Sequence, residues 1–542
     1  MKKIIVFSFS FFLSIGFVQS QNNGFETIKS LELTDQIYEH LEKYYVDDVN
    51  IGTLSKNAID AMLKELDPYT VYYHESNIED YRLMTTGQYG GIGALIRKVG
   101  DYVCISEPYE GNPALEAGLM AGDKILSVDG KNMKDKSSTE VSTALKGPKG
   151  TELIIKVDRN GEEKIFKFER DEIKLLDVPY SGVVKDGIGY IKLNSFTRTA
   201  SQEVIKSFNT LKQQGMKELI LDLRGNGGGL LIEAVKIVNM FVEKDQTVVT
   251  TKGRVEDENR TYKTMGDPMD LNIPLVVLVN ENSASASEIV SGSLQDLDRA
   301  VVIGTTSYGK GLVQRTYDLD YGSKVKLTIA KYYTPSGRCV QRLEYYDKVE
   351  GERAEEIPDS LIKVFYTLNG REVIDGRGIE PDVKIELDDL SRLTATLFSK
   401  NIFFDYATKY FYENNKIASA DKFKLSKGEY DAFKDYVLSK EITYSTASEE
   451  KLKQMKETAE KEGFYDGIEK EYEALMTKVH PSTERDLDKF EKEIRIILEN
   501  EIVSRYYYQT GRAQYNFQDD SYINKAVEVL MNKSTYNNIL GY

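Results

Sequence analysis

The chain has 542 residues, more than one ordinary domain holds, so two to four domains are expected. Its formal net charge of −16 argues against nucleic acid as a partner, because such a surface needs an excess of Lys and Arg. The two cysteines, Cys104 and Cys339, are too few for a disulfide-built scaffold, and neither has metal-ligand spacing. Hydrophobic residues make up 41% of the chain, which is enough to build cores.

The first twenty residues are typical of a secretion signal. Lys2 and Lys3 form a positive start, and residues 4–18 are apolar. This apolar stretch is short for a membrane span, which favours cleavage after residue 20 over retention as an anchor. We therefore predict an exported protein, periplasmic or otherwise extracytoplasmic.

Two regions of different character follow the signal. Residues 25–85 have helical periodicity, with apolar residues such as Leu31 and Ile37 forming a stripe. In residues 86–172, short β-rich runs such as Lys124–Val128 and Glu152–Val157 alternate with glycine turns. The sequence thus predicts an N-terminal helical region and then a small β-rich domain.

Strand and helix patterns alternate from residue 173 to 388, which predicts an α/β sheet with crossover connections. Leu275–Val279 is an apolar run of strand length, and Gly229–Val242 is a helical pattern. Residues 343–370 are a charged insertion, expected as a surface loop or hairpin. Residues 389–542 repeat apolar residues at helical spacing, which predicts a helical domain for packing, dimerisation or partner binding.

A serine cluster followed by a lysine contains the candidate catalytic residues. Ser285 lies at the expected start of a helix, and Lys310 follows it by 25 positions, between two glycines. The three histidines, His40, His74 and His480, all lie outside residues 75–479, so the usual base for a serine is missing near this motif. A lysine is the natural substitute, provided that burial depresses its pKa from about 10.4 and keeps it neutral.

Both residues also have structural alternatives. Ser285 and Glu288 match a capping box, in which serine and glutamate satisfy the first N–H groups of a helix. Gly304–Lys310 matches most of a phosphate-binding P-loop, but position 311 is Gly where that motif needs Ser or Thr to hold magnesium. Ser283 and Ser287 are fallback nucleophiles.

Several stretches of the sequence resemble the carboxyl-terminal processing, or tail-specific, proteases of peptidase family S41. They are residues 283–314, the turn Leu221-Asp-Leu-Arg-Gly-Asn-Gly-Gly-Gly229, and the landmarks Lys331–Arg338 and Gly378–Asp382. The resemblance covers about residues 30 to 385. It implies a multidomain α/β protein with a mixed-sheet S41 core at 173–388, an inserted PDZ domain at 86–172, N-terminal helices at 25–85 and a C-terminal helical domain at 389–542.

The resemblance also implies the roles of the catalytic residues. Ser285 is the nucleophile, neutral Lys310 is its base, and Gln314 orients the lysine amine. The N–H of Ala286, directly after the nucleophile, and that of Gly228 form the oxyanion hole. In this chain Gly225 and Gly227 stand where relatives often carry Asn and Pro, so a looser turn is expected beside the oxyanion hole.

Two further assignments follow from the same resemblance. Asp296 matches a position linked to activity, for which the alternative is a surface acid at the end of a helix. In the PDZ domain, the N–H groups of Gly91, Ile92 and Gly93 would receive the C-terminal carboxylate of a substrate, and neighbouring residues would pair with its extended chain.

The predicted function is therefore a Ser/Lys endopeptidase that cleaves exported proteins near their C-termini. Its expected partners are peptides with free C-termini, not nucleic acid, with homodimer or adaptor contacts through residues 389–542, and no metal or cofactor is expected. The alternative from a different class is a non-catalytic scaffold that binds peptides or lipophiles. A further alternative is a Ser/His protease of the tricorn type that uses His74.

Overall fold

The computed structural model describes residues 6–185, 187–345, 354–386, 389–517 and 519–542, with side chains from residue 24 onward except that of Asn77. The start of the predicted signal and the predicted boundary at residue 388 lie outside these residues. The chain divides into two units, Met1–Ser76 with Gln314–Thr328 and Asn77–Val313 with Ile329–Tyr542. Of the helices in the described ranges, none has both the length and the apolar character to cross a membrane.

The smaller unit contains two helices and a short antiparallel pairing. The helices are Val6–Tyr44 and Ile51–Lys64. Strand Val71–Tyr73 pairs with the strand that begins at Lys324, with Val71 opposite Lys326. The helices agree with the periodicity of residues 25–85, yet the apolar stripe of the first helix is exposed, with Leu31 66% exposed.

The larger unit begins with helix Ile78–Thr86 and strand Gln88–Gly91, and an antiparallel sheet that corresponds to the predicted β-rich domain follows. Its strands lie in the order Ala94–Val99, Tyr102–Pro108, Lys124–Val128, Glu152–Arg159, Glu162–Glu169. Helix Ser138–Leu145 packs on this sheet and begins with a capping box formed by Ser137 and Glu140. At its other end, Arg170 donates to the carbonyl oxygens of Ala144 and Leu145.

The central sheet of the larger unit is mixed. Its strands lie in the order Tyr180–Lys185, Ile188–Lys192, Glu218–Asp222, Leu275–Val279, Val301–Gly304, Val383–Lys384. The first pair is antiparallel and the other pairs are parallel. All five residues of Leu275–Val279 are buried, as expected for a continuous apolar strand covered on both faces.

Different parts of the chain cover the two faces of this sheet. Helices Ala200–Gln213, Leu231–Asn239 and Ala286–Asp296 pack on one face. Helix Ser521–Met531 packs on the other, and Tyr536 adds hydrogen bonds to both the N–H and the carbonyl of Leu275. The final helices of the predicted C-terminal domain therefore complete the central core.

The rest of the region after residue 389 is helical and has its own apolar core, which includes Leu393, Phe403, Phe433 and Leu498. Its helices are Arg392–Ser399, Ile402–Glu413, Lys427–Leu438, Ala447–Glu462, Glu469–Val479, Thr483–Lys489 and Glu491–Asn516.

Two predicted elements differ in detail. The helix predicted over Gly229–Val242 is confined to Leu231–Asn239, because Gly229 has a φ of 148° and forms a β-bridge with Phe196. In the charged insertion, Leu343–Glu344 pairs antiparallel with Glu355–Glu356, so its base is a hairpin. Residues 346–353 lie outside the described residues.

Candidate active site

Ser285 directly precedes helix Ala286–Asp296 and has a φ of 56° and a ψ of −113°. A positive φ is strained for any residue other than glycine, and such strain is concentrated at functional sites. The N–H of Ser285 donates to Glu288 Oε2 at 2.8 Å, and its carbonyl accepts from the Tyr332 hydroxyl at 3.2 Å. The backbone is thus fixed on both sides, while the side chain is only half-buried.

The neighbouring serines of the cluster are committed to structural hydrogen bonds. Ser283 donates its hydroxyl to the carbonyl of Leu223 at 2.9 Å, and Ser287 donates to the carbonyl of Asn226 at 2.9 Å. Both side chains are fully buried. Of the three candidate nucleophiles, Ser285 is therefore the one that a substrate can reach.

The glycine-rich turn after strand Glu218–Asp222 lies against Ser285. A Cβ placed on Gly228 would lie 2.8 Å from Ser285 Cβ and 3.0 Å from the backbone nitrogen of Ala286. The turn thus brings the three residues together, as the oxyanion-hole prediction requires. The N–H of Gly228, however, donates to Asn226 Oδ1 at 2.9 Å, so an oxyanion would have to share or replace that bond.

The close approach of Gly228 gives a testable expectation. Gly228→Ala should lower kcat by about 100-fold or more, because its Cβ would displace Ser285 or Ala286 and the φ of 98° is strained for alanine. Steady-state peptide hydrolysis, together with a thermal melt to verify folding, measures this effect. Gly227→Ala is the matched control, because its Cβ meets nothing within 4 Å and its activity should stay close to wild type.

The carboxylate of Glu288 joins the serine segment to the lysine segment. Its Oε2 accepts from the N–H of Ser285 at 2.8 Å and from that of Lys310 at 2.9 Å. Its Oε1 accepts from the Ser307 hydroxyl at 2.6 Å and the Gly309 N–H at 2.7 Å. Because Ser285 and Lys310 share one acceptor atom, their backbone nitrogens lie within about 6 Å of each other.

Glu288 is fully buried, and burial raises the pKa of its carboxyl, while the hydrogen bonds from Ser307, Lys310, Ser285 and Gly309 oppose that shift. The capping-box spacing indicated the contact between Glu288 and the N–H of Ser285. No local pattern indicated that Glu288 also contacts the segment Ser307–Lys310. Lys310 lies 22 positions after Glu288 in the chain. Sequence reasoning therefore missed Glu288 as the residue that positions both segments.

Glu288→Gln tests this positioning role. An amide would place an N–H donor against other N–H donors, so we expect a loss of about 3 kcal/mol in the free energy of unfolding and a 10-fold or larger fall in kcat, by order of magnitude. Chemical denaturation and hydrolysis rates measure the two effects. Glu281→Gln on the exposed turn before the helix is the control and should change neither. An unchanged kcat in Glu288→Gln would contradict the role.

The P-loop alternative for Lys310 is wrong. After strand Val301–Gly304 the chain continues through an irregular segment into strand Leu312–Asp318, whereas a P-loop must lead into a helix. The N–H groups of Gly309 and Lys310 bind the Glu288 carboxylate and not an open anion site. In the described residues, no group of three or more His, Cys, Asp or Glu side chains is placed to hold a metal ion.

Asp296 is the last residue of helix Ala286–Asp296, which begins directly after Ser285. That helix has 11 residues, which separates Asp296 from Ser285 by about 16 Å along the axis. Asp296 is buried, pairs with Arg338 at 2.8 Å and accepts from the N–H of Ser336 at 2.9 Å. The alternative of a surface acid is therefore wrong, and these contacts stabilise the turn that carries Arg338.

Two further candidates belong to the smaller unit. Gln314 donates its amide N–H to Thr328 Oγ1 at 3.1 Å. His74 Nδ1 lies 3.0 Å from the hydroxyl of Ser76. The orienting role of Gln314 stays a prediction.

The predicted carboxylate-binding loop connects strands Gln88–Gly91 and Ala94–Val99. The carbonyl oxygens of Ile92 and Gly93 accept from the N–H groups of Ala114 and Tyr109, each at 2.8 Å. Gly93 has a φ of 72°, and a Cβ there would lie 2.4 Å from Asn112 Cβ. The carbonyl groups of the loop are thus hydrogen-bonded within the domain. Capture of a carboxylate by the N–H groups of the loop stays a prediction.

A buried charged network supports the base of the glycine-rich turn. Asp222 accepts from the Tyr190 hydroxyl at 2.6 Å and pairs with Lys192 and Arg224. Burial alone would raise the pKa of Asp222, but these two cations hold it below its ordinary value. Arg224 also pairs with Asp520 at 2.8 Å, the residue that caps helix Ser521–Met531. Sequence reasoning did not find Asp520.

The fold combines a mixed-sheet core, an inserted antiparallel-sheet domain and a C-terminal helical region. The core carries Ser285, whose backbone is strained. Family models match peptidase family S41 over residues 187–347, a PDZ domain over 104–159, and the probable PDZ-protease C-terminal helical domain over 393–530. A carboxy-terminal-processing protease of Bartonella bacilliformis is 37% identical over 352 residues, covering 63% of this chain and 80% of that protein. The chain belongs to peptidase family S41, so the predicted family and fold class are confirmed.

The chain is also similar to a further relative and to a solved structure. A probable CtpA-like serine protease of Staphylococcus aureus is 38% identical over 329 residues, or 58% of this chain. The matched region covers 65% of that relative's length. Among solved structures, a photosystem II D1 C-terminal processing protease is 28% identical with a TM-score of 0.37, and the match covers 65% of this chain and 86% of that one.

Proposed function

We propose that this protein is a serine endopeptidase that cleaves exported proteins near their C-termini, with Ser285 as nucleophile and Lys310 as general base. The observation that carries the proposal is the shared carboxylate oxygen of Glu288, which holds the backbones of both residues. The strained, half-buried Ser285 and the close approach of Gly228 add support. Family membership favours the same class of reaction.

The reaction proceeds by acyl transfer. Neutral Lys310 takes the hydroxyl proton of Ser285 as the oxygen attacks the scissile carbonyl, and the oxyanion binds the N–H of Ala286 and, after exchange of its bond to Asn226, that of Gly228. Protonated Lys310 then gives its proton to the leaving amine. Lys310 next takes a proton from water as the water oxygen attacks the acyl carbonyl, and the departing Ser285 oxygen recovers that proton from Lys310 as the acid product leaves.

The PDZ domain supplies substrate selection in this proposal. The N–H groups of Gly91, Ile92 and Gly93 bind the free C-terminal carboxylate, and an extended tail pairs with the strand that follows. Gln314 orients the amine of Lys310. Export through a signal at residues 1–20 completes the proposal, because it would deliver the enzyme to exported substrates.

Tail dependence is tested with two copies of one unfolded model substrate, one with a free and one with an amidated C-terminus. We expect the free form to be cleaved about 10-fold or more faster, because a charged hydrogen-bonded carboxylate contributes about 1.5–3 kcal/mol. Mass mapping of the products locates the cuts. Equal rates would exclude carboxylate capture, and an absence of products from both forms would exclude the peptidase.

The non-catalytic scaffold is the second candidate, favoured by one observation, the engagement of the Gly228 N–H by Asn226. A fluorophosphonate probe separates the two candidates, because it forms a bond only with an activated serine. Labelling of Ser285 in the wild-type protein, and its loss in Lys310→Ala, supports the enzyme. A folded protein that stays unlabelled supports the scaffold.

A further inference from the structure

A network of hydrogen bonds inside the smaller unit ends at the side chain of Gln314. It begins at Asp67, shortly after helix Ile51–Lys64, and passes through Thr70 and Thr328. All four residues belong to the smaller unit. Asp67 and Thr70 are only 8% and 4% exposed, so water competes little for their bonds. The residues of the network therefore decide which atom donates and which accepts.

The carboxylate of Asp67 is held by the turn that follows the helix. Its Oδ1 accepts from the N–H groups of Tyr69 and Thr70, each at 2.8 Å. Its Oδ2 lies 2.9 Å from the Thr70 hydroxyl. An ionised carboxylate has acceptors and no proton to give. The single hydroxyl proton of Thr70 therefore goes to Asp67.

Thr70 consequently presents lone pairs, and not a proton, to Thr328. The N–H of Thr328 donates to Thr70 Oγ1 at 3.1 Å. The two hydroxyl oxygens are 3.4 Å apart, which is longer than the 2.9 Å between Thr70 and the charged carboxylate. Because a bond to a charged acceptor is the stronger one, the Thr70 proton stays with Asp67. Across the 3.4 Å contact, the hydroxyl of Thr328 is then the donor.

The direction of these bonds determines which end of the Gln314 amide faces Thr328. The oxygen and nitrogen of an amide have nearly the same shape, so shape alone does not select one of them. With its own proton directed at Thr70, Thr328 Oγ1 accepts from Gln314 Nε2 at 3.1 Å. The other end of the amide, Oε1, is thus the end that remains for a second hydrogen bond.

We propose that Asp67 and Thr70 are positioning residues that select one orientation of the Gln314 amide. In that orientation Oε1, and not Nε2, faces the amine of Lys310. This inference rests on the proposed function, in which Gln314 orients that amine, and it adds the residues that choose the orientation. Asp67 and Thr70 act through Gln314 and are not catalytic residues.

The chemistry of a general base explains why the orientation matters. A neutral amine has one lone pair, which must point at the hydroxyl of Ser285 to take its proton. Oε1 of Gln314 accepts an N–H of the amine and leaves the lone pair available. Nε2 in the same place would donate to the lone pair of Lys310 and block the base. It would also disfavour the ammonium that forms when the proton is transferred.

Asp67→Asn should reverse the network without disturbing the turn. The two backbone N–H groups keep the oxygen of the new amide, so its NH2 group faces Thr70. Thr70 then donates to Thr328, and Thr328 donates to Gln314 Oε1, which turns Nε2 towards Lys310. We expect kcat for a fluorogenic peptide to fall about 10-fold or more and KM to stay within about 2-fold, because substrate binding is not affected.

Substitutions of Thr70 separate the network from the charge of Asp67. Asp67→Asn also removes a negative charge that interacts with Lys326, whereas variants of Thr70 keep that charge. Thr70→Val retains the shape of threonine but removes the hydroxyl, so Thr328 can donate to Gln314, and kcat should fall about 10-fold. Thr70→Ser retains the hydroxyl and should keep kcat within about 2-fold of wild type.

Thr34→Val, at an exposed position of helix Val6–Tyr44, is the control and should change neither kcat nor KM. Thermal melts of all variants verify folding. Equal losses of kcat in Thr70→Val and Thr70→Ser, or a rise in KM in place of a fall in kcat, would overturn the proposal.

NMR of the full chain, labelled with nitrogen-15 in the glutamine side chains, measures the orientation without any substrate. The Gln314 signal is identified by its loss in Gln314→Ala. In the wild type, one Nε2 proton should be hydrogen-bonded and protected from exchange with water. Its resonance should shift in Asp67→Asn and Thr70→Val but not in Thr70→Ser. Unchanged signals in the first two variants would overturn the proposal, whereas a wild-type protein that cleaves no peptide would refute only the proposed function.

Discussion

Replacing Ser285 with alanine should lower peptide hydrolysis by a factor on the order of 10⁴ or more without unfolding the protein. The reason is that acyl transfer requires this oxygen, while the neighbouring Ser283 and Ser287 are buried in structural hydrogen bonds. Hydrolysis of a fluorogenic peptide and a thermal melt measure the two quantities. Ser291→Ala is the matched control on the same helix, because that hydroxyl donates within the helix, to the carbonyl of Ser287.

The base is tested by the same assay with two substitutions of Lys310. Lys310→Ala should be as inactive as Ser285→Ala, because the two residues act as a unit. Lys310→Arg should be equally inactive although it keeps a long cationic side chain, because a guanidinium cannot lose its proton. A 10-fold change in rate corresponds to roughly 1.4 kcal/mol in the activation barrier. If Lys310→Arg keeps activity within 10-fold of wild type, Lys310 is not the general base, and His74 is the next candidate.

Replacing Leu530 with alanine should reduce the free energy of unfolding by about 3 kcal/mol, as expected for a buried leucine that leaves a cavity. Leu530 is 3% exposed in helix Ser521–Met531, where it packs with Val276 and Ile303 of the central sheet. Chemical denaturation of the full chain measures the loss. Removal of the whole segment 519–542 should prevent folding of the central core, because one face of the sheet would be uncovered.

The adjacent Met531 is the control for this prediction. It is 61% exposed, so Met531→Ala should change the free energy of unfolding by less than about 0.5 kcal/mol. Equal effects from Leu530→Ala and Met531→Ala would mean that the helix does not stabilise the sheet. The prediction concerns stability and holds whether or not the protein is an enzyme.

The sequence predicted those parts of the fold and site that depend on local pattern. The apolar run Leu275–Val279 identified a buried strand, and alternation with glycine turns identified Lys124–Val128. The serine cluster with a following lysine identified Ser285 and Lys310 as candidates. In each case the signal lies in neighbouring residues, where periodicity and turn chemistry act directly.

The features that sequence reasoning missed depend on contacts between distant segments. Which serine of the cluster is accessible became clear only from the carbonyl groups of Leu223 and Asn226, about 60 positions earlier. Asp520 pairs with Arg224 across 296 positions, and no local pattern announces such a partner. The engagement of the Gly228 N–H is a matter of turn geometry, which the glycines permit but do not specify.

The position of helix Ser521–Met531 has a consequence for biosynthesis. The ribosome makes this helix more than a hundred residues after the last strand that it covers, Val383–Lys384. Until then, the apolar face of the sheet has no cover and Arg224 lacks Asp520. Premature termination before residue 521 therefore yields a chain in which the apolar residues on this face of the sheet stay exposed to water.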